Sequence, residues 1–306
     1  MPIDNSPASV NDTLPAASEV NEHKALGFGL AAVLCWSTVA TAFKIALAQM
    51  DVAELLFWAT LTSVTVLTLV LLFQGKLPQA LADLRSDWPK ALGMGCLNPL
   101  IYYFVLFAAY ERLPAQVAQP VNYTWAIVLA FMAVPFLGHK LSKADFVAMM
   151  LGYLGVVTIS MGGSTEGASI SLLGLGLAIF STLLWATYWI LNSRDKRDPI
   201  SGLFQNFLMA LPLTLILAWP LQTELKPLLS AAYVGVFEMG ITFVFWLLAM
   251  KSTRHASRIG NLIFLSPFIS LVLIHFILGE HIQPATLVGL VLIIGGLIIQ
   301  NRYARH

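Results

Sequence analysis

Four apolar stretches of this sequence interrupt their hydrocarbon side chains with hydrogen-bonding and aromatic residues at helical spacing. In AQPVNYTWAIVLAF (118–131), Gln119, Asn122, Tyr123 and Ala126 lie three and four positions apart, so they share one helical face, with Trp125 on its shoulder. Upstream, Asn98 and Tyr102 stand at i and i+4, with Pro99 between them and Tyr103 adjacent. Further on come Ser181, Trp185, Tyr188 and Asn192 with Trp189 beside them, and then Glu238, Thr242, Phe245 and Trp246. Tyr and Trp each offer a broad apolar face and one polar handle, so stripes of this kind can wall a cavity for a small amphipathic solute. Aromatic anchors of a lipid belt sit at the membrane interfaces, whereas Tyr102, Tyr123 and Trp185 fall nearer the middle of their stretches. Asn122 and Tyr123 also read as hydrogen-bond glue between helices, worth on the order of 0.6 kcal/mol each. Pro120 lacks a backbone donor and is expected to kink its helix, opening carbonyls to a ligand or a neighbour.

Two charged residues fall more than a few positions inside apolar stretches. An ionisable group at membrane depth points to a functional site by default, and Glu238 could bind a substrate ammonium, carry a proton, or serve as a buried structural hydrogen-bond partner. Lys44, near one end of its stretch, either snorkels to the interface or binds a substrate carboxylate. The substrate-binding candidates are thus Tyr102, Tyr103, Asn122, Tyr123, Trp125, Trp185, Trp189 and Glu238, and the coupling candidates are Glu238 and Lys44. No nucleophile elbow, phosphate-binding loop or His/Cys cluster with metal spacing is present, so neither an enzyme nor a cofactor or metal is expected. Cys35 and Cys96 fall within apolar stretches and read as packing residues.

The elements that must position these residues follow from the composition. The chain is 58% hydrophobic and only 11% charged, with a net charge of +1 and a mean hydropathy of +0.78. Soluble proteins carry roughly 25% charged residues, so the partner implied is a lipid bilayer, and the charge balance gives no case for nucleic acid. A helix crosses a bilayer with about 20 apolar residues. That criterion predicts ten spans near 27–49, 52–73, 91–110, 115–137, 144–161, 171–191, 200–219, 228–250, 256–278 and 284–300. Residues 1–24, MPIDNSPASVNDTLPAASEVNEHK, are polar, rich in Pro, Ser and Ala, and without the basic start and apolar segment of a secretory signal. They are expected to form a disordered cytoplasmic tail.

Lys and Arg concentrate on one side of the membrane. That side holds Lys24; Lys76, Arg85 and Lys90; Lys140 and Lys143; Arg194, Lys196 and Arg197; Lys251, Arg254 and Arg258; and Arg302 with Arg305. The other holds Arg112 and Lys226. Both termini are therefore expected in the cytoplasm.

The second half echoes the first. A displacement of 141 residues lays YFVLFAAYERLPAQ (103–116) on VFWLLAMKSTRHAS (244–257) without a gap, Leu137–Gly138 on Leu278–Gly279, and Gly155 on Gly296. A displacement of 149 places Gly27 on Gly176, Trp36 on Trp185 and Thr38 on Thr187. Each repeat, 25–162 and 163–306, holds five spans. An odd number makes the two halves enter the membrane from opposite sides, the plan of many secondary transporters with a site at mid-membrane.

Three segments carry a family resemblance: WSTVATAFK (36–44), LGEHIQPATLVGLVLIIGGLII (278–299), and its weaker first-repeat copy FLGHKLSKADFVAMMLGYLGVV (136–157). With these the chain resembles the drug/metabolite transporter superfamily, of the ten-helix type with two EamA repeats, over essentially everything after residue 24. Within that superfamily it is most similar to bacterial exporters of amino acids, aromatic ones included, on the NYTW cluster and overall pattern. It departs from the family at His139, where Glu usually follows the Gly as Glu280 follows Gly279, and at Trp58, near a place where many members carry Arg. The resemblance implies an all-α integral membrane protein of ten helices in two inverted five-helix repeats, lying in the bacterial inner (plasma) membrane. It implies export of amino acids or similar small metabolites by alternating access through a central aromatic-lined cavity. A broad drug and metabolite extruder is the alternative. Uptake of a phosphorylated metabolite fits less well, because phosphate recruits several Arg or Lys and Lys44 is the one cation more than a few positions inside a span. A channel would need a ring of repeated polar groups, against which the two-fold plan argues. No oligomeric state is implied.

Overall fold

The computed structural model describes residues 21–137, 143–162, 170–221, 225–253, 259 and 261–303. Every regular element among them is helical: α1 (Glu22–Leu47), α2 (Val52–Phe73), α3 (Leu77–Gly95), α4 (Tyr102–Arg112), α5 (Ala115–Tyr123), α6 (Trp125–Leu137), α7 (Lys143–Gly162), α8 (Leu172–Ser193), α9 (Pro199–Ala218), α10 (Leu225–Phe237), α11 (Ile241–Lys251), α12 (Ser266–Leu273) and α13 (Pro284–Tyr303). Single π-helical turns occupy Cys96–Ile101 and Ile274–Leu278, and a 3₁₀ turn occupies Asn261–Leu265. In hydrocarbon the backbone must satisfy its own hydrogen bonds, which restricts spanning segments to helices or closed barrels. Short polar residues start the helices where water ends. Asn21, Asp51, Ser171 and Asp198 each accept a first-turn N–H, from Lys24, Glu54, Gly174 and Ser201 at 2.8–3.1 Å. Among the described residues seven helical stretches are long and apolar enough to cross a membrane, and three shorter apolar helices occupy 146–159, 266–278 and 284–299. Residues 1–20 of the expected tail, His139, Arg254 and Arg258 lie outside the described residues, whereas Glu22, His23 and Lys24, expected to end that tail, form the first turn of α1 behind its cap Asn21.

The third span begins earlier than hydropathy predicts. Residues 77–90, outside the predicted spans, continue the helix, so that Leu77–Arg112 forms one stretch. Its LPQALADLRSDWPK segment is polar on one side and buries Ala80 on the other.

Among the described residues the third, fourth and eighth spans are discontinuous, and each of these interruptions has a local cause. Asn98 precedes Pro99 and takes extended torsions (φ −142°, ψ 112°) inside its span, because the proline ring disfavours helical torsions in the residue before it. The fourth span breaks at Thr124 rather than at Pro120, which stays inside α5. There the Thr124 N–H and hydroxyl both donate to the Val121 carbonyl, at 3.1 and 2.7 Å, drawing the chain into a tighter turn than the α-helix allows. The eighth span breaks over Glu238–Gly240. A side chain at Gly240 would bring its Cβ within 2.8 Å of the Gly235 carbonyl oxygen, so glycine is required. The displacement of 141 residues carries Asn98 to Met239 and Thr124 to Leu265, where the 3₁₀ turn hands over to α12. The breaks thus recur with the internal repeat.

Small residues set close helix contacts. A Cβ on Gly155 of α7 would lie 2.6 Å from the Gly289 carbonyl oxygen of α13, the close approach that small residues permit in membranes. Gly93 and Gly295, by contrast, have open space where a Cβ would stand. Gly155→Val is therefore expected to lower stability by about 1–3 kcal/mol through overpacking, and Gly93→Ala to leave it unchanged. Thermal unfolding of the two proteins in detergent checks the contrast; equal melting temperatures would contradict it.

One end of the bundle is tied by charge. Arg197 and Asp195, 8% and 6% exposed, pair in the turn between α8 and α9. Arg197 also donates to Gln205 and Asn206 of α9, and Lys90 of α3 donates to Asp195 at 2.7 Å. Lys76 pairs with Asp198 nearby, and Arg194 donates to the Phe136 carbonyl. Segments that the charge count placed on one side of the membrane meet here. Burial alone would raise the Asp195 carboxyl, but hydrogen bonds from Arg197 and Lys90 outweigh it and hold the group well below the usual carboxylate range. A depressed carboxylate contributes stability that is full above its unfolded value, about 3.9, and is lost as pH falls through its folded value. Asp195→Asn is expected to flatten the acid side of the stability profile and to lower stability at pH 7. An unchanged melting temperature at both pH 7 and pH 4 would contradict this.

Candidate functional site

The interrupted helices converge on a central cavity of about 260 Å³. Helix α1 contributes Trp36, Val39, Ala40 and Phe43, and α4 contributes Tyr102, Leu106 and Tyr110. Helix α5 supplies Gln119, Asn122 and Tyr123, and α6 begins at the break with Trp125. Trp185 and Trp189 of α8, Glu238 from the α10–α11 break, Phe243 and Trp246 of α11, and Ile263 complete the lining. Broken helices near mid-membrane are how many transporter folds present polar groups to a solute.

Five of the chain's eight tryptophans face this space. Trp185 is its centrepiece. Its ring stacks on Tyr102 (centroids 4.5 Å apart, 23° between planes) and on Tyr188 (5.4 Å, 20°), and it meets Trp189 and Trp125 edge to face. Trp125 and Trp189 lie nearly parallel at 6.4 Å. Across the cavity Trp36 packs on Trp246 at 5.3 Å and on Phe243 at 6.0 Å. Offset and edge-to-face pairs such as these contribute about 0.5–1.5 kcal/mol each beyond their buried area, so the walls are stiff.

The polar groups are few. Glu238 Oε1 accepts the Tyr103 hydroxyl at 3.1 Å, and Asn122 Nδ2 donates to Ser181 Oγ at 3.0 Å. Three polar atoms of lining residues have no partner among the described residues: Glu238 Oε2, Gln119 Oε1 and Trp189 Nε1. Buried polar atoms are nearly always paired, so two acceptors and one donor are left to serve a solute. Among the described residues no group of three or more His, Cys, Asp or Glu could hold a metal ion.

Seven of the eight residues singled out by helical spacing come together here: Tyr102, Asn122, Tyr123, Trp125, Trp185, Trp189 and Glu238. Tyr103 does not line the cavity. It is fully buried behind it and reaches it through Glu238. The stripe that joined Glu238 to Thr242, Phe245 and Trp246 is cut by the helix break. Thr242 donates back to the Phe237 carbonyl, Phe245 stacks on Phe28 at 6.1 Å, and Trp246 alone of the three reaches the cavity. Lys44 stands apart. Its ammonium donates to the Tyr110 and Leu113 carbonyls at 2.9 and 3.1 Å, where α4 ends, a favourable place for a cation.

Trp36, Phe43, Tyr110 and Phe243 were not among the candidates. The repeat held a signal for two of them, because Trp36 is the counterpart of Trp185, and Phe243 lies 141 residues from Tyr102. A further support comes from Glu280, whose two carboxylate oxygens accept the first free N–H groups of α5, from Ala115 at 2.9 Å and Gln116 at 3.2 Å. Gln116 in turn bonds the His281 carbonyl and the Gln283 N–H. The loop before α13 thereby fixes the helix that carries Gln119, Asn122 and Tyr123. His275 only braces this loop, its Nδ1 lying 2.9 Å from the Glu280 carbonyl.

Comparison with known proteins gives a consistent set of likenesses. The profile of the EamA-like transporter family matches residues 23–161 and again 172–302. The uncharacterised transporter YvbV of Bacillus subtilis (strain 168) is 25% identical over 232 residues, covering 71% of this chain and 73% of that protein. The aromatic amino acid exporter YddG of Ancylobacter novellus is 25% identical over 239 residues, covering 74% and 80%. A crystal structure superposes with a TM-score of 0.66 at 21% identity, over 93% of this chain and 99% of the other, which is a likeness of fold.

Proposed function

The chain belongs to the EamA-like transporter family, and from that premise we propose that it exports amino acids or related small metabolites from the cytoplasm by alternating access. The observation that carries this reading is the aromatic cavity at the meeting of the broken helices, with Glu238 the one charged side chain among its described lining residues. At about 260 Å³ it lies just below the roughly 300–1,000 Å³ of pockets for drug-sized ligands, which favours a single small metabolite over a bulky drug. The relative named as an aromatic amino acid exporter supports the substrate class at 25% identity. Tyr102, Asn122, Tyr123, Trp125, Trp185, Trp189 and Glu238 contact the solute, and Tyr103 positions the carboxylate. The two repeats, 25–162 and 163–306, rock about the cavity from opposite orientations. The excess of Lys and Arg on one side sets both termini, including tail 1–24, in the cytoplasm of a bacterial inner membrane.

The test is counterflow. Purified protein in liposomes preloaded with unlabelled aromatic, aliphatic, cationic or acidic amino acids is given the labelled form outside, with no pH gradient. Accumulation of label above that in protein-free liposomes for at least one class is the expected result. No exchange in any class, from protein shown to be folded, would remove the amino-acid assignment.

A further inference from the structure

The charge of a solute suited to this cavity follows from which polar groups line it. Aromatic faces carry partial negative charge, and the cavity presents five indoles with Tyr102, Tyr110 and Tyr123. Its one charged lining group among the described residues is Glu238, and two of its three unpartnered polar atoms, Glu238 Oε2 and Gln119 Oε1, are acceptors. A cation over an indole face, next to a carboxylate, is the arrangement used to recognise organic ammonium groups.

A solute carboxylate finds far less. Lys44 spends its ammonium on two backbone carbonyls. Arg112 is engaged by Glu111 and the Ala108 carbonyl, and Arg197 by Asp195, Gln205 and Asn206. Arg254 and Arg258 lie outside the described residues. Asn122 already donates to Ser181, and the donors that remain, such as the unpartnered Trp189 N–H and the Gln119 amide, are neutral. An anion desolvated without a cation is costly.

We propose that the cavity selects organic cations, amines with an aromatic or alkyl body and no carboxylate, over zwitterions and anions of the same shape. This rests on the reading of the chain as a small-metabolite exporter and, within it, puts carboxylate-free amines ahead of the amino acids related to them. The ammonium sits against Glu238 Oε2 and Gln119 Oε1, with its hydrocarbon body among the indoles.

The experiment holds the ring constant and changes the charge. Calorimetric titration of the full-length protein in detergent at pH 7 uses phenethylamine, phenylalanine and 3-phenylpropionate. The amine is expected to bind at least tenfold more tightly than the zwitterion, and the anion to give no binding heat. In Glu238→Gln the amine should weaken at least tenfold, to the zwitterion's level. Phenylalanine binding as tightly as the amine, or more tightly, overturns the proposal and leaves the amino-acid reading standing. Binding of none of the three by folded protein overturns both. Amine preference undiminished in a folded Glu238→Gln protein overturns the assignment to this carboxylate. Should that variant not fold, the wild-type series still decides the charge preference.

Discussion

In liposomes with an imposed pH gradient, Glu238→Gln is expected to bring substrate accumulation down to the level of protein-free vesicles, while counterflow at saturating substrate persists. The substitution keeps the side chain's shape and leaves an oxygen to accept the Tyr103 hydroxyl, which donates to Oε1 at 3.1 Å, but it removes the charge and the titration. Among the described lining residues Glu238 is the one carboxyl, and the remaining titratable groups are tyrosines, which ordinarily ionise near 10. A carboxylate that is alternately occupied by a proton and by an ammonium group also links the two fluxes stoichiometrically, since both cannot sit on it at once. Truncating one partner of a buried charge pair costs roughly 2–5 kcal/mol, so half-saturation for a cationic substrate should rise by about 30-fold or more. A Glu238→Gln protein that still concentrates substrate, or a wild type that only equilibrates it, removes this residue from coupling.

How far the sequence reveals this site depends on what kind of signal each residue carries. Tyr102, Tyr123 and Trp185 were legible because a polar or aromatic stripe is conspicuous within an apolar run, and a helix turns such a stripe toward protein rather than lipid. Tyr103 was grouped with Tyr102 by adjacency, but neighbouring helical positions point about 100° apart, and it lies behind Glu238 instead of beside the solute. Trp36 and Phe243 stand in spans whose apolar pattern hides an aromatic ring among Val, Ala and Leu; only their correspondence to Trp185 and Tyr102 through the repeat marks them. The breaks divide in the same way. Pro99 announces the extended Asn98, since the restriction before proline is local. Pro120 misdirects, because it stays inside α5, and the chain turns instead where the Thr124 hydroxyl competes for a backbone carbonyl. The break at Glu238–Gly240 needs the close approach of Gly235 and Gly240, which no single-span pattern displays. The 77–90 segment fell outside the predicted spans because hydropathy finds helices only where they cross lipid, and here Lys76 and Lys90 meet Asp198 and Asp195.

Trp185→Ala is expected to abolish transport and to destabilise the fold together, whereas Trp185→Phe should separate the two effects. The indole is 8% exposed and is held by Tyr102 and Tyr188 on its faces and by Trp125, Trp189 and Phe243 around it. Replacing a buried Trp by Ala in a packed core costs about 3–5 kcal/mol, part of it for the cavity left behind. Inside a bilayer the lost contacts matter more than lost burial, because lipid is as apolar as the core. The neighbouring rings have nothing to hold their angles once Trp185 is gone, so the wall that faces Glu238 collapses along with the stack. Phenylalanine keeps a ring against Tyr102 but shortens its reach toward Trp189. Substrate affinity should then fall about tenfold, equivalent to 1.4 kcal/mol, in protein whose melting temperature drops only modestly. Trp88, half exposed on α3 and remote from the cavity, supplies the control: Trp88→Ala should leave both melting and transport at the wild-type level. Wild-type transport kinetics in both Trp185 variants would place the solute elsewhere in the bundle, and a Trp185→Ala protein that melts normally yet does not transport would show that the ring contacts the solute without supporting the fold.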